Sequence, residues 1–276
     1  MFRQTYQDFE IVIVDDGSTD GSVDVIKENF DDPRIRIISQ ENAGVSASRN
    51  RGIAEAKYDY IALLDADDEW KPEYLETQYN LIKKYPDCSV FVTNYEFHNE
   101  RGEVTATKIN KLPFNEQAGV LSNYFQVAAC SHPPLWTSAI VIKKDSLKSV
   151  GGFPVGVKSG EDLLTWARLA CRYKIAYAKT PLSIFNIEES HIKSKPKREP
   201  AEKDIVGEKL MELKKSFNPP HIDNYISLWH KMRSSIYMRL GKKGKSIKEA
   251  IMGLRYNPSN YKLIAYIIIN LIPFRR

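Results

Sequence analysis

Short apolar segments alternate with helical patterns along the first hundred residues, and no other feature of the chain limits its fold as strongly. The apolar segments are rich in Val and Ile, which is typical of buried strands. The predicted strands are Ile11–Val14, Ile35–Ile38, Tyr60–Leu64 and Ser89–Thr93. The predicted helices between and after them are Ser22–Phe30, Val45–Lys57 and Pro72–Tyr85. Strands joined by helices predict an α/β fold, with a Rossmann-like, mostly parallel sheet covered by helices on both faces.

The later part of the chain is less regular. Between Tyr95 and Val150 we predict one strand, Ser138–Ile142, and after it an amphipathic helix, Glu161–Arg172. A stretch of lysine and proline then reads as a solvated linker, and the residues beyond it have helical patterns. The predicted organisation is a main domain over residues 1–192, a linker over 193–200 and a helical C-terminal extension over 201–276.

The charge of the chain is unevenly distributed. The net charge is +5, yet the residues after Leu240 include eight basic side chains and one acidic side chain, so the rest is slightly negative. A slightly acidic body argues against nucleic acid as a partner. A basic end beside apolar helices fits an anionic membrane surface. The three cysteines are widely spaced, which indicates a reducing compartment, hence a cytoplasmic location, and no zinc site.

Two adjacent aspartates, Asp15 and Asp16, follow the first predicted strand and open a loop that continues with Gly17 and Ser18. Neighbouring carboxylates repel each other, so a metal, a nucleobase, a sugar or a set of hydrogen-bond donors is expected nearby. A purely structural turn is the open alternative. A helix–loop–helix calcium site is disfavoured, because its twelfth position requires glutamate and here holds Lys27.

A second acidic group, "LLDADDEW", follows the third predicted strand. Asp65 and Asp67 form a D-x-D pair, and two carboxylates at a strand end can bind one hard cation, either Mn²⁺ or Mg²⁺. A calcium loop starting at Asp65 is ruled out, since its sixth position needs glycine and holds Trp70. In open α/β sheets ligands lie at the carboxyl ends of strands, which is where both acidic groups fall.

Two further segments carry candidate chemistry. In "ENAGVSASRNRGIAEA" a helix start exposes backbone N–H groups to an anion, and Arg49, one turn later, can reach a phosphate. The alternative is an ordinary helix start with a surface arginine. In "GGFPVGVKSGEDLLTW" the pair Glu161–Asp162 opens a helix, where one carboxylate could act as a general base. The alternative is the usual preference of helix N-termini for acidic residues, with Trp166 in the core.

Four motifs, in this order and spacing, resemble family 2 glycosyltransferases of the GT-A fold. They are "QTYQDFEIVIVDDGSTDGS", "NAGVSASRNRGI", "LLDADDEWKPEYLE" and "GGF" followed by "EDLLTWARLA". The resemblance covers roughly Phe2 to Asn186, about two thirds of the chain. Each motif is loose by itself, but four in register identify the family.

The resemblance implies a role for each candidate residue. Asp16 contacts the nucleobase, with Asp15, Gly17 and Ser18 in the same nucleotide-binding loop and Asp15 holding that loop through backbone amides. Arg49 and Asp65 lie beside the nucleotide, and Asp65 and Asp67 hold the metal on the diphosphate. Asp162 is the catalytic base and Glu161 helps to orient the acceptor. The acceptor-side candidates are Trp136, Gly152 and Phe153, and His191 is a further candidate metal ligand.

The implied reaction is a metal-dependent transfer of a sugar, with inversion, from a nucleotide-diphosphate donor to a hydroxyl of a glycan or lipid-linked acceptor. The implied setting is the synthesis of a cell-surface polysaccharide or glycolipid. The main rival is a non-catalytic relative that binds sugar nucleotides or glycans. A nucleotidyltransferase is a weaker rival, because no glycine-rich, lysine-containing phosphate loop is visible near the N-terminus.

Two features depart from the family pattern or leave alternatives open. Family members begin with an apolar strand that ends in a P-x-Y-N-like motif, and this strand is not visible before Met1, so we expect a truncated form. The C-terminal helices could pack on the main domain, form a homodimer or rest on a membrane. The segment "LIAYIIINLIPF" is too short to span a bilayer, and basic residues flank it. It therefore predicts peripheral contact with the inner face of the cell membrane as one of the three arrangements.

Overall fold

The protein has the predicted α/β class. The computed structural model describes residues 1–187, 196 and 198–272. The strands are β1 Ile11–Asp15, β2 Ile35–Ser39, β3 Tyr60–Ala62, β4 Glu69–Trp70, β5 Val90–Asn99, β6 Val104–Ala106, β7 Ala118–Val120, β8 Ile140–Lys143 and β9 Ile175–Ile187. The helices are α1 Ser22–Asn29, α2 Val45–Glu55, α3 Tyr74–Lys84, α4 Tyr124–Cys130, α5 Lys144–Ser149, α6 Glu161–Ala170, α7 Ile205–Phe217, α8 Ile222–Arg239, α9 Lys243–Tyr256 and α10 Tyr261–Leu271.

The strands form two sheets. β1 and β2 pair in parallel as one sheet, and the other sheet has the order β3-β8-β5-β9-β4, with β6 on β5 and β7 on β9. In the larger sheet β3, β5 and β9 run in the same direction, while β8 runs opposite to its neighbours β3 and β5. The reversed strand comes from the irregular middle of the chain, where side-chain periodicity does not reveal strand direction.

The predicted strand Ser138–Ile142 begins later than expected. Residues Thr137–Ala139 form a 3-10 turn, and the strand β8 starts at Ile140. The cause is that Ser138 directs its side chain and its carbonyl into the loop after β3 instead of into a strand ladder. The prediction also missed the long strand β9 and stopped β5 six residues early, at Thr93.

The helical extension shares its core with the main domain. Buried residues of α7 and α8, including Leu210, Tyr225 and Trp229, lie in one apolar cluster with residues of β5, β8 and α6. Of the three arrangements left open, packing on the main domain therefore occurs. Half of the predicted linker lies outside the described residues, but Glu199 near its end forms an ion pair of 2.8 Å with Lys245 of α9.

The residues before β1 form neither helix nor strand and are fixed on α3. Gln4 donates from Nε2 to the Lys71 carbonyl at 2.8 Å and accepts the Leu75 N–H at 2.8 Å. Among the described residues, β1 has β2 as its single strand neighbour. The expectation of an absent first strand stays a prediction. No helix within the described ranges is long and apolar enough to cross a bilayer.

Candidate active site

Arg49 connects three of the predicted site segments. Its guanidinium lies 2.8 Å from Asp65 Oδ1, at the end of β3, and 3.5 Å from Glu161 Oε1, at the start of α6. It also lies over the ring of Phe153, 5.2 Å from the ring centre. The side chain is 13% exposed, so these charges interact in a poorly solvated place. Arg49 therefore ties the D-x-D segment to the predicted catalytic base helix.

Asn50, which the sequence analysis did not single out, fixes the "GGF" turn to α2. Its Oδ1 accepts the Phe153 N–H at 2.8 Å, and its Nδ2 donates to the Phe153 carbonyl at 2.8 Å. Gly152 has φ 63°, and a Cβ there would lie 2.5 Å from Asn50 Oδ1, so glycine is required. The one signal in the sequence was that Asn50 adjoins Arg49 in the recognised motif.

The Asp15–Asp16 pair holds two loops. Asp15 Oδ1 accepts the Ser18 N–H at 2.9 Å across Gly17, and hydrogen bonds from Ser18 lower the pKa of Asp15. Asp16 accepts the N–H groups of Ala43 and Gly44, at 2.9 and 2.8 Å, just before α2. Partial burial opposes ionisation of Asp16, but these bonds lower its pKa. The repulsion between the carboxylates is thus balanced by backbone donors, and Asp16 is joined to the start of the helix that carries Arg49.

Ser138 fixes the loop that contains the D-x-D pair. Its Oγ accepts the Asp65 N–H at 3.0 Å and donates to Asp68 Oδ2 at 2.5 Å, while its carbonyl accepts the Trp70 indole N–H at 2.5 Å. Asp68 is 7% exposed, and burial raises its pKa. Its second oxygen, Oδ1, is buried and has no hydrogen-bond partner. Asp67 is exposed at the tip of the same loop.

Trp136 lies beneath this loop. Its indole N–H points to Asp68 Oδ2 at 3.4 Å, and its ring stacks on Tyr95 with a centre separation of 5.4 Å. Phe185 meets its edge at 4.7 Å. The ring is partly buried in an aromatic cluster, which supports the loop and leaves part of the side chain at the surface.

The two carboxylates at the start of α6 are suited to accept a proton. Burial raises the pKa of Glu161 and the pKa of Asp162. The charge of Asp162 raises the pKa of Glu161 further, and the charge of Asp65 does so for both carboxyls. Asp162 Oδ1 accepts the Leu163 N–H at 2.6 Å. A carboxylate with a raised pKa at a helix start is a stronger base than an exposed one and can take a proton from a hydroxyl.

Comparison with known proteins decides the family. The sequence profile described as "Glycosyl transferase family 2" matches residues 1–150, more than half of the chain. The chain belongs to glycosyltransferase family 2. The predicted membership and the predicted enzyme class are confirmed.

Named relatives of this family 2 chain include two proteins of Streptococcus pneumoniae. Glycosyltransferase GlyA is 45% identical over 101 residues, which are 36% of this chain and 14% of GlyA. Glycosyltransferase GlyG is 40% identical over 102 residues, which are 36% of this chain and 34% of GlyG. The matched region thus spans at most about a third of these relatives' length.

A solved structure of similar fold is TarS 1–349 of S. aureus in complex with UDP-GlcNAc. The likeness covers 97% of this chain and 82% of that chain, with a TM-score of 0.64 and 16% sequence identity. At this identity the likeness concerns the fold alone. It extends over the C-terminal helices and confirms the predicted GT-A class.

The side chains of the D-x-D loop fit a divalent cation in their chemistry. Asp65 and Asp67 offer carboxylate oxygens, which Mn²⁺ and Mg²⁺ prefer, and the buried Oδ1 of Asp68 lacks a partner beside them. The predicted ligand His191 lies outside the described residues.

A second acidic cluster of the family 2 chain is of a different kind. Among the described residues, one group of three His, Cys, Asp or Glu side chains has its possible metal-ligand atoms within 4.8 Å of one another. It consists of Asp204, His230 and Glu249. Arg233 already supplies the positive charge there, 2.8 Å from Glu249 and 3.6 Å from Asp204. We therefore interpret this group as an internal ion-pair cluster and not as a metal site.

Proposed function

We propose that the chain transfers a sugar from a nucleotide-diphosphate donor to a hydroxyl group of an acceptor, with inversion at the anomeric carbon. The observation that carries this proposal is the contact of Arg49 with both Asp65 and Glu161, next to Asp162. This contact supports the proposal because it joins a carboxylate that could bind a metal, a cation that could bind a phosphate and the neighbour of the proposed base.

Asp162 serves as the base. It takes the proton of the acceptor hydroxyl, whose oxygen then bonds to the anomeric carbon while the bond from that carbon to the diphosphate oxygen breaks. The electron pair of the broken bond leaves with the nucleotide diphosphate. With one base and no covalent nucleophile, the reaction is a single displacement and inverts the configuration. Glu161 orients the acceptor, and its contact with Arg49 fixes its position.

Asp65 and Asp67 are the residues that would hold a divalent ion. When bound, Mn²⁺ or Mg²⁺ neutralises the charge of the leaving diphosphate. Arg49 contributes a second positive charge at the same place, and Ser138 keeps the loop in position through the Asp65 N–H.

The nucleotide side of the site is the Asp15–Ser18 loop, Arg49 and Asp65. The carboxylate of Asp16 joins this loop to the start of α2. We propose that it also contacts the edge of the nucleobase. Because the structurally similar TarS binds UDP-GlcNAc, that donor is the first to test.

The predicted acceptor-side residues are Trp136, Gly152 and Phe153, but the Phe153 ring is 1% exposed, so it supports the site from the core and does not itself meet an acceptor. Phe153 packs against Arg49, whereas Trp136 adjoins the D-x-D loop through Asp68 and keeps part of its ring at the surface. A glycan or a lipid-linked glycan suits an aromatic surface of this kind, in the synthesis of a cell-surface polysaccharide or glycolipid.

The rival function is a non-catalytic relative that binds sugar nucleotides. The ordered contacts of Asp65, Arg49 and Glu161, with Asp162 beside them, favour the enzyme, because binding alone needs no base.

The test is a panel of UDP-, GDP- and dTDP-sugars with Mn²⁺, in which nucleotide release and product anomer are followed by NMR. The wild-type protein is compared with Asp162→Asn and with Asp145→Asn, which changes an exposed aspartate in the first turn of α5. We expect Asp162→Asn to lower kcat by about 10²- to 10⁴-fold, the usual contribution of a general base. Asp145→Asn keeps wild-type kcat. Donor binding without turnover by the wild type would establish the non-catalytic function instead.

A membrane surface is the further partner that we propose for the extension. The outward side of α10 is apolar, whereas Leu263 and Asn270 on its other side are buried against the protein. Four exposed apolar residues, at positions 261, 264, 268 and 271, recur three or four apart and so form one stripe of the helix, with Ile269 beside the stripe and Ile272 directly after the helix. The exposed apolar residues of this region are Tyr261, Ile264, Ile268, Ile269, Leu271 and Ile272. The basic residues after Leu240 add attraction to anionic lipid.

A further inference from the structure

The side chain of Trp229, on α8, packs against the start of α6. Gly160, directly before Glu161, has φ 81°, and a Cβ at this residue would lie 2.6 Å from Trp229 Cζ3. Trp229 is 4% exposed, so its ring cannot easily move aside. The helix that carries Asp162 therefore begins against a fixed indole ring of the C-terminal extension.

Tyr225, one turn earlier on α8, holds the same part of α6. Its hydroxyl donates to the Leu163 carbonyl at 3.0 Å and accepts from Tyr124, whose hydroxyl lies 2.9 Å away. Both tyrosines are buried, and burial, together with the nearby charge of Asp162, raises the pKa of each. Both hydroxyls therefore stay un-ionised, and the Tyr225 hydroxyl keeps the proton that it donates to α6.

The ion-pair cluster of the extension fixes Trp229 from behind. The indole N–H donates to Asp204, with distances of 3.0 and 3.2 Å to the two carboxylate oxygens. Asp204 also accepts the Gly207 N–H at 2.9 Å and faces Arg233, which pairs with Glu249. His230 Nδ1 meets Glu249 at 2.7 Å and completes the cluster. A charged network that is this well bonded holds the indole ring in one orientation.

We propose that α8 positions Asp162 through Trp229 and Tyr225. The Asp204–Arg233–Glu249 cluster in turn holds the Trp229 ring in place. The inference rests on the proposed function of Asp162 as the base. It assigns to the extension a part in the chemistry of the main domain, because the base stands at the point where α8 and α6 meet. Tyr225 and Trp229 act through α6 and do not touch the reacting atoms.

The first test compares two glycine variants. Gly160→Ala and Gly156→Ala both introduce a Cβ at φ 81°, but Gly156 has no atom within 4 Å of that Cβ. The backbone strain is therefore matched and the contact with Trp229 is the difference. We expect Gly160→Ala to lower kcat on the order of 10²-fold, as a displacement of about 1 Å does, with donor KM unchanged. Gly156→Ala is expected to keep its kcat.

Rescue provides the second arm. Trp229→Phe removes the outer ring atoms that an alanine at position 160 would meet. Alone it should lower kcat, because it loses the bond to Asp204, but added to Gly160→Ala it should lower kcat no further and should recover part of the loss. A non-additive recovery of this kind shows coupling between the two residues.

A third comparison tests the Tyr225 hydroxyl. Tyr225→Phe is compared with Tyr237→Phe, which removes a hydroxyl from the same helix that lies 3.3 Å from the Pro200 carbonyl. Of these two variants we expect a lower kcat in Tyr225→Phe alone.

Hydrogen exchange of the α6 peptide gives a readout that does not need turnover. We expect faster exchange in Gly160→Ala and Tyr225→Phe, with slower exchange again once Trp229→Phe is added. Equal kcat and equal exchange in the two glycine variants would overturn the positioning role. If the wild type transfers no sugar, the proposed function fails, and the exchange data still decide whether α8 holds α6.

Discussion

At the scale of single residues, the proposed base Asp162 is a carboxyl group whose ionisation is opposed by burial. Burial raises the pKa of its carboxyl, as does the nearby negative charge of Asp65, while the Arg49 guanidinium opposes this shift. A carboxylate that is costly to ionise is a stronger base but a less stable part of the fold. Activity and stability should therefore respond to pH in opposite directions at this residue.

The first residue-scale prediction concerns pH. The base must be ionised, so kcat/KM should rise with pH through the raised pKa of Asp162, above the ordinary range of aspartate. A raised pKa in the folded state contributes stability below the unfolded-state pKa, and this contribution is lost as pH rises through the folded-state value. Asp162→Asn should therefore increase the thermal midpoint relative to wild type, and more at pH 7 than at pH 4.

The measurement is thermal unfolding of wild type, Asp162→Asn and Asp145→Asn at several pH values. Asp145 is exposed, so its replacement should change the midpoint little and without a trend over the same range. A midpoint difference for Asp162→Asn that shrinks as pH rises would contradict the assignment of a raised pKa.

At the scale of elements, α10 exposes several large apolar side chains to water. Tyr261 and Leu271, ten residues apart on the same face, are 72% and 67% exposed. Scattered exposed apolar residues are common, but a continuous stripe on one helix is typical of an interfacial helix.

The element-scale prediction is binding to anionic vesicles. The protein should float with phosphatidylglycerol vesicles at low salt, and less at high salt or with phosphatidylcholine alone, because lipid charge and apolar burial both contribute. The double variant Ile264→Ser with Ile268→Ser should lose most of this binding. The control, Val25→Ser with Val155→Ser, removes two apolar side chains elsewhere that are more exposed than the two isoleucines, and it should still float.

Sedimentation separates the membrane from a second copy of the chain. If the wild type is a dimer that the α10 double variant converts to a monomer, and neither form floats, then a homodimer covers this face and the membrane proposal is wrong.

At the scale of the whole molecule, the main domain and the extension share one core. Leu210 of α7 is fully buried in the cluster that also contains Val90, Ile140 and Leu164. If either part unfolded alone, the apolar surface that the other part buries against it would be exposed to water. Cooperative unfolding of both parts is therefore expected.

The whole-molecule prediction uses Leu210→Ala. The lost side chain should reduce the free energy of unfolding by about 2–5 kcal/mol, as large-to-small core replacements do. The transitions followed by far-ultraviolet circular dichroism and by tryptophan fluorescence should both shift, by the same amount. Met211→Ala, at a 39% exposed neighbour, should change little. A separate early transition in Leu210→Ala, with the main domain unshifted, would show that the extension unfolds on its own.

Much of the fold could be predicted because its signals are local. The periods of strands and helices in the first hundred residues are properties of a few neighbouring side chains, and β1, β2, α2 and α3 lie where those periods indicate. The bond from Ser18 to Asp15 spans three residues, so a structural part for Asp15 could be inferred in advance. The late start of β8 could not, because it depends on Ser138 bonding to Asp65, 73 residues away.

The sequence by itself determined the class of the fold, the family and the residue types of the candidate site. The tertiary structure decided which of these residues meet. The hydrogen bonds between Asn50 and Phe153 join residues 103 positions apart. The packing of Trp229 on Gly160 joins the extension to α6, the helix that carries the proposed base. Local patterns follow from the geometry of consecutive residues, whereas such contacts follow from how whole helices pack, which no short stretch of sequence encodes.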